Sequence, residues 1–248
     1  MTTDLEPVPE DWERALIVVA HPDDIEFGSS GAVAAWTAAG KTVHYLILSR
    51  GEAGIDSMPP EKAGEVRERE QRASAEIVGV ADVEFLDYAD GSISYSETLR
   101  DHIAAAIVRH RPELLVGYNH HDVTFSGKWN TSDHRNVGRA TLDAVGVAAN
   151  RWLGRDPSDG DPSAADGDEL LWAGIKHVFM AASPNPTHAV DVTDSLDAAV
   201  ASVEAHVEYL AGLGLPEGAA RFGLEQLTSS VAERFGDRPA VPFECVDV

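Results

Sequence analysis

Five short runs rich in apolar and β-branched residues punctuate the chain: Ala15 to Ala20, Thr42 to Ser49, Val83 to Asp87, Leu114 to Tyr118 and His177 to Ala181. Runs this short, largely without a polar face, predict strands buried on both sides. Between them the period of the pattern changes. Ser29 to Ala39, Glu61 to Gly79, Ser96 to Arg109 and Asp133 to Asn150 carry alanine and aliphatic residues at helical spacing. Gly40, Gly79 and the Arg111-Pro112 pair stand where those helices must stop, since glycine accepts left-handed backbone and proline cannot continue a helix. Alternation of strand and helix predicts an α/β protein with a Rossmann-like, mostly parallel sheet and helices on both faces. A chain of 248 residues suits a single domain over 1–248, with 1–13 as an N-terminal tail.

Two segments break the rhythm. Asn119 to Ser132 is a long polar loop following a strand, and such loops tend to carry function. Gly154 to Gly167 is rich in Asp, Pro, Gly and Ser, and 154–168 reads as a mobile surface loop rather than a linker between domains. Leu196 to Leu210 forms an amphipathic run, on which His206 reads as structural or interfacial. No internal repeat is visible.

Composition narrows the partners. A formal charge of −23 disfavours nucleic acid and anionic membrane surfaces, because an acidic protein repels polyanions. The single cysteine, Cys245, cannot form an internal disulfide, which fits a reducing compartment. The first residues are polar and acidic, without the basic and apolar regions of a secretory signal, and no apolar run approaches membrane-spanning length. These features lead to the expectation of a cytoplasmic protein with no membrane insertion.

Charge is costly at a buried strand end, yet His21, Asp23, Asp24 and Glu26 follow directly on Ala15 to Ala20. Ligands of open parallel sheets bind at the carboxyl ends of strands, which is where this group falls. Gly28 and Gly31 come too late for a phosphate-cradling turn, and three carboxylates repel phosphate, so a dinucleotide site is not expected. His21 and Asp24, three apart in a tight turn, can face one cation as the first half of a zinc site. The alternative is a polar turn in which Asp24 caps the helix and His21 is an ordinary buried histidine. A third ligand has candidates in the loop after the fourth strand, at His120-His121-Asp122 and at Ser132-Asp133-His134-Arg135. Asp133 also suits the N-terminus of a helix through the dipole alone.

With these residues in view, the chain resembles the LmbE-like, or PIG-L, family of zinc-dependent N-acetylglucosaminyl de-N-acetylases. Its first motif, Ala-His-Pro-Asp-Asp-any-Glu, is matched residue for residue by Ala20 to Glu26. Its second, His-any-Asp-His, is matched at Asp133 and His134, while Thr131 replaces the first histidine. Ser49 to Gly54, Arg67 with Glu70, Leu86 to Gly91, Arg135 to Ala140, and Asp191 to Thr193 leading to His206 are similar too, so the likeness spans about Arg14 to Leu210.

The resemblance implies the LmbE-like fold, one zinc ion held by His21, Asp24 and His134, and catalytic carboxylates at Asp23, the general base, and Asp133. Another divalent metal remains compatible with those ligands. Because zinc lowers the pKa of its water to about 7, a neighbouring carboxylate can take the proton at neutral pH. The family's missing histidine assists the oxyanion step, and Thr131 can donate a hydrogen bond there but cannot carry charge. His120 or His121 could reach in instead, or lie on the surface. Trp129 could wall a sugar face or close the core. Glu26 could support the metal from its second shell or simply favour the helix N-terminus. Arg67 could contact substrate hydroxyl or phosphate groups, or pair with Glu70 or Glu65 along its helix, and Asp90 has the same double status.

The leading expectation is a hydrolase that removes acetyl from an N-acetylated amino sugar or its conjugate. The alternatives are cleavage of another amide, such as an amino-sugar thiol conjugate or natural-product intermediate, and a ligand-binding protein without turnover. A small-molecule substrate is the expected partner, and the resemblance leaves a homo-oligomer open.

Overall fold

The computed structural model describes residues 4–154 and 170–248. Arg14–Val19 (β2), Thr42–Ile47 (β3), Asp82–Phe85 (β4), Leu114–Tyr118 (β5) and His177–Ala181 (β6) fall within one or two residues of the strands the apolar runs predict. Each pairs parallel to its neighbour. Glu6–Pro7 (β1), His188–Asp191 (β7) and Ala240–Cys245 (β8) complete one sheet of order β1-β7-β8-β6-β5-β2-β3-β4. β8 alone runs antiparallel, between β6 and β7.

Alternate residues of the buried strands feed two cores. Ile17, Val19, Tyr45 and Ile47 face Ser30–Ala38 (α2) and Pro60–Ile77 (α3), where Ala32, Val33, Trp36 and Ala75 are buried. Leu16, Val18, Leu46 and Leu48 face Glu97–His110 (α4) and Ser132–Ala148 (α5), through Leu99, Ile103, Val137 and Ala144. Two covered faces explain why these strands lack a polar stripe. The helix ends follow local chemistry: the Ser96 side chain accepts from Leu99 N to start α4, and Arg111 adopts a left-handed φ of 49° before Pro112 to end it.

The chain departs from expectation in three places. The segment read as an N-terminal tail is packed: Leu5, Val8 and Trp12 are buried, β1 pairs with β7, and Trp12 lies edge-on to Trp36 at 5.3 Å. Leu5, Val8 and Trp12 are spaced three and four apart, a helical period that Pro7 and Pro9 forbid, so local pattern could not place them as strand. The amphipathic run after Leu196 breaks at Ala205-His206 into Leu196–Glu204 (α6) and Val207–Gly212 (α7), and Ala219–Ser229 (α8) follows. The expected surface loop at 154–168 lies, beyond Gly154, outside the described residues. No helix among the described residues is long and apolar enough to cross a membrane.

Candidate active site

β2 and β5 are neighbours, but the chain leaves β2 toward β3 on one side and returns through β5 on the other. At such a switch point the connections diverge and open a crevice at the carboxyl ends of the strands. His21 follows β2 there, the short helix Asp24–Gly28 (α1) carries Asp24 and Glu26, and α5 brings Asp133 and His134 after β5.

Three donor groups converge. His21 Nδ1 lies 3.3 Å from His134 Nε2, His134 Nε2 lies 3.0 Å from one oxygen of Asp24, and His21 Nδ1 lies 3.5 Å from the other. The outer nitrogens of both rings are held from behind. His21 Nε2 meets Asp90 at 3.1 Å and Asp133 at 3.3 Å. His134 Nδ1 meets Asn130 Oδ1 at 3.0 Å. Asn130 donates its amide to the carbonyls of Asn119 and His121, at 2.9 and 3.0 Å, so its oxygen must face His134. Hence His134 carries its proton on Nδ1 and turns the Nε2 lone pair inward.

This donor set fits a divalent cation. Two ring nitrogens and a carboxylate face one another across 3.0 to 3.5 Å, backed by the carboxylate and amide partners that fix ligand orientation at metal sites. Without a cation a proton takes its place: burial opposes charge on His21, but Asp133, Asp24 and Asp90 push its pKa up to about 12. Asp24 shows the same tension, since burial favours its neutral form while His134 and His21 hold its pKa well below the carboxylate range. Besides His21-Asp90-Asp133, which shares a ring with this triad, two further histidine-carboxylate groups occur among the described residues, His44-Asp82-His110 and His120-His121-Glu244. The first includes the exposed Asp82 and lies toward the amino ends of β3 and β4, away from the crevice.

Asp23 stands apart from Asp24 because its backbone is left-handed, with φ 90°. That conformation costs an aspartate on the order of 1–3 kcal/mol and persists where surroundings enforce it. Gln71 Oε1 accepts the Asp23 N–H at 3.0 Å, and Arg67 donates to Asp23 Oδ1 at 2.6 Å. Burial raises the Asp23 pKa to about 6, with the Arg67 charge opposing and Asp24 adding to the rise.

Several expected residues occupy other places than the sequence suggested. Arg67 is 2 % exposed, donates to the carbonyls of Pro22 and Gly51, and lies 4.0 Å over the Tyr209 ring, so it anchors Asp23 and neither faces open solvent nor pairs with Glu70 or Glu65. Glu70 instead accepts from the N–H groups of Glu208 and Tyr209 at the start of α7. Asp133, expected beside Asp23 in catalysis, accepts from Gly91 N and Ile93 N at 2.8 and 3.2 Å and sits behind His21. Asp90 accepts from Ala53 N at 3.0 Å and also stands behind His21.

His121 is engaged by Glu244 at 2.7 Å, with His120 packed on its ring at 4.0 Å, and neither joins the triad. Thr131 caps α5, its hydroxyl accepting from His134 N at 3.3 Å. Trp129 is 70 % exposed under the Arg135 guanidinium, so it does not close the core. Glu26 accepts from Gln71 and Ser74 at 2.8 and 2.6 Å and lies 3.6 Å from the buried His206. It therefore supports the residues that hold Asp23 more directly than it supports the metal ligands.

Sequence reasoning missed Asn130, Gln71, Tyr118 and Tyr209. Gln71 lies four residues after Arg67, on the same helix face, and Asn130 directly precedes the capping Thr131, so both carried a local signal. Tyr118, whose ring meets His134 edge-on at 4.7 Å, and Tyr209 carried none.

The chain is 28% identical over 215 residues to diacetylchitobiose deacetylase of Thermococcus kodakarensis, covering 79% of this chain and 70% of that one. It is 31% identical over 114 residues to 4-oxalmesaconate hydratase of Pseudomonas putida, covering 43% of this chain and 44% of the relative. Its fold is that of N,N'-diacetylchitobiose deacetylase from Pyrococcus horikoshii, with a TM-score of 0.79 over 95% of this chain and 84% of that one at 19% identity. Residues 16–145, just over half of the chain, match the PIG-L model described as GlcNAc-PI de-N-acetylase, and the chain belongs to that family.

Proposed function

We propose that this protein is a zinc-dependent hydrolase that removes the acetyl group from an N-acetylated amino sugar or its conjugate. The observation that carries the reading is the inward convergence of His21 Nδ1, His134 Nε2 and Asp24, with Asp23 held separately beside them. His21, Asp24 and His134 would hold the metal, which as a Lewis acid polarises a carbonyl and lowers the pKa of water. Asp23, with a pKa raised to about 6, is largely ionised at neutral pH and close enough to neutrality to take a proton and return it to the leaving amine. Arg67 and Gln71 fix the direction of that carboxylate. Thr131 uses its oxygen to accept from His134 N, which leaves its hydroxyl hydrogen to donate toward a developing oxyanion.

Support for the substrate class comes from the Thermococcus relative, a deacetylase of an acetylated amino sugar, and from the family description. A second reading, addition of water to an unsaturated acid, is favoured by the Pseudomonas hydratase relative. The deciding experiment measures metal content after zinc reconstitution and release of acetate from N-acetylglucosamine derivatives. Stoichiometric zinc with acetate release that Asp23→Ala abolishes, while zinc stays bound, is the expected result. Absence of any stoichiometric divalent metal would overturn the reading, and a metal-loaded protein that releases no acetate but hydrates unsaturated acids would establish the second.

A further inference from the structure

An apolar cavity of about 230 Å3 adjoins the site, lined among others by Phe27, Gly28, Tyr118, Phe125, Gly223 and Leu227. It begins close to the triad. Gly28 follows the ligand candidate Asp24 by four residues on α1, roughly 6 Å along a helix. Tyr118, whose ring meets His134 at 4.7 Å, forms the shared wall. Phe125 brings the polar loop after β5 to the rim, and α8 closes the far side.

Two glycines border this space. A Cβ on Gly28 would stand 2.9 Å from the Tyr118 ring, so glycine lets the ring lie against α1. Gly223 is the sharper case. It sits in the middle of α8, where glycine destabilises a helix relative to alanine, yet a Cβ there would meet no atom within 4 Å. Among the described residues nothing packs against that point to require glycine. Gly223 is exposed and lines the cavity, so a longer side chain there stands at its edge.

The lining selects the occupant. Among the described residues no charged side chain lines it, and the hydroxyls of a sugar would lose their hydrogen bonds to water without replacement. A hydrocarbon group loses nothing there. A cavity of about 150 Å3 already admits benzene, so this one takes a larger alkyl or aryl group.

We propose that the cavity receives an alkyl or aryl group carried by the amide substrate, so that the substrate class is an N-acylated amino sugar bearing an apolar substituent near the scissile bond. This rests on the amide-hydrolase reading and refines it. The substituent is either an aglycone or the acyl chain itself, and the two are separable by assay.

The test compares kcat/KM of the zinc-loaded protein for N-acetylglucosamine, its octyl glycoside and N-hexanoylglucosamine. Burial is worth about fourfold per methylene, so the substrate whose apolar group fits is expected to exceed plain N-acetylglucosamine by about 10- to 100-fold. A preferred octyl glycoside assigns the cavity to the aglycone, and a preferred hexanoyl amide assigns it to the acyl chain. Gly223→Leu fills the cavity from a helix position that tolerates leucine, and is expected to lower the ratio of apolar to plain kcat/KM at least tenfold, with Gly223→Ala intermediate. Equal kcat/KM for all three substrates, or a ratio unmoved in Gly223→Leu, would overturn the proposal. Calorimetric titration with octyl glucoside and methyl glucoside, and with N-hexanoylglucosamine and N-acetylglucosamine, separates the two failures. Octyl- or hexanoyl-selective binding lost in Gly223→Leu, in a protein that hydrolyses no amide, keeps the cavity and rejects the hydrolase reading, whereas no preference for octyl glucoside over methyl glucoside or for N-hexanoylglucosamine over N-acetylglucosamine rejects the cavity.

Discussion

Asn130 provides the most discriminating test of how the candidate metal site is held. It is 2 % exposed and its side chain makes four hydrogen bonds: it accepts from Thr131 N and His134 Nδ1, and donates to the carbonyls of Asn119 and His121. Asn130→Ala removes all of them, whereas Asn130→Asp keeps both acceptor roles and loses both donated bonds. Each stranded buried carbonyl costs about 1–3 kcal/mol, so the two stranded in both variants should cost about 2–6 kcal/mol of stability. At about 2–4 °C per kcal/mol for a chain of this size, the smaller loss already lowers Tm by about 4–8 °C. Metal affinity separates them. The alanine variant frees the His134 ring to change tautomer and orientation, and outer-partner losses of this kind weaken metal binding by about 10- to 100-fold. The aspartate variant still accepts from Nδ1–H and should bind within about threefold of the parent. Chelator competition measures the zinc Kd and thermal melts measure stability. An alanine variant that binds zinc as tightly as the parent would refute the argument that Asn130 fixes the His134 tautomer.

Three further outcomes are expected. Gly51 has φ 60°, and a Cβ there would fall 2.0 Å from Arg67 Nη1, so Gly51→Ala should displace the Arg67 side chain, lower Tm and reduce kcat more than it raises KM; a variant with the parent's kcat would show that Arg67 does not position Asp23. Trp12→Ala should cost about 3–5 kcal/mol as a large-to-small change at a position only 1 % exposed, and a denaturant midpoint equal to the parent's would mean that the N-terminal segment contributes nothing. Burial lowers the pKa of His110, and the neighbouring His44 adds to it against Asp82 and Glu84. Between that lowered value and about 6.5 the unfolded chain binds the proton and the folded chain does not, so this contribution is complete above pH 6.5 and fades as pH falls through the folded value. Tm should therefore fall less between pH 7 and pH 5.5 in His110→Gln than in the parent, and an identical slope would contradict the sign.

The sequence by itself determined the five central strands, the helices between them and the chemistry concentrated after β2, because these depend on local period and on residues adjacent in the chain. Strands buried on both faces must be uniformly apolar, and a histidine with three carboxylates at the end of one marks a place where a cation could sit. The edge of the sheet was decided elsewhere. Glu6–Pro7 and His188–Asp191 carry too little pattern to be strands alone, and only pairing with each other and with Ala240–Cys245 makes them so. The same division runs through the candidate site. His21, Asp24 and His134 were legible as residue types at suggestive spacings, but which nitrogen of each ring faces inward depends on Asp90, Asp133 and Asn130, brought there by separate loops and helices. Arg67 and Asp133 were legible as candidate site residues, but that Arg67 is buried against Asp23 and that Asp133 accepts from two backbone N–H groups of the loop after β4 came only from the fold. A side chain's role follows from what it is buried beside, and contacts between residues far apart in the chain leave no periodic trace in it.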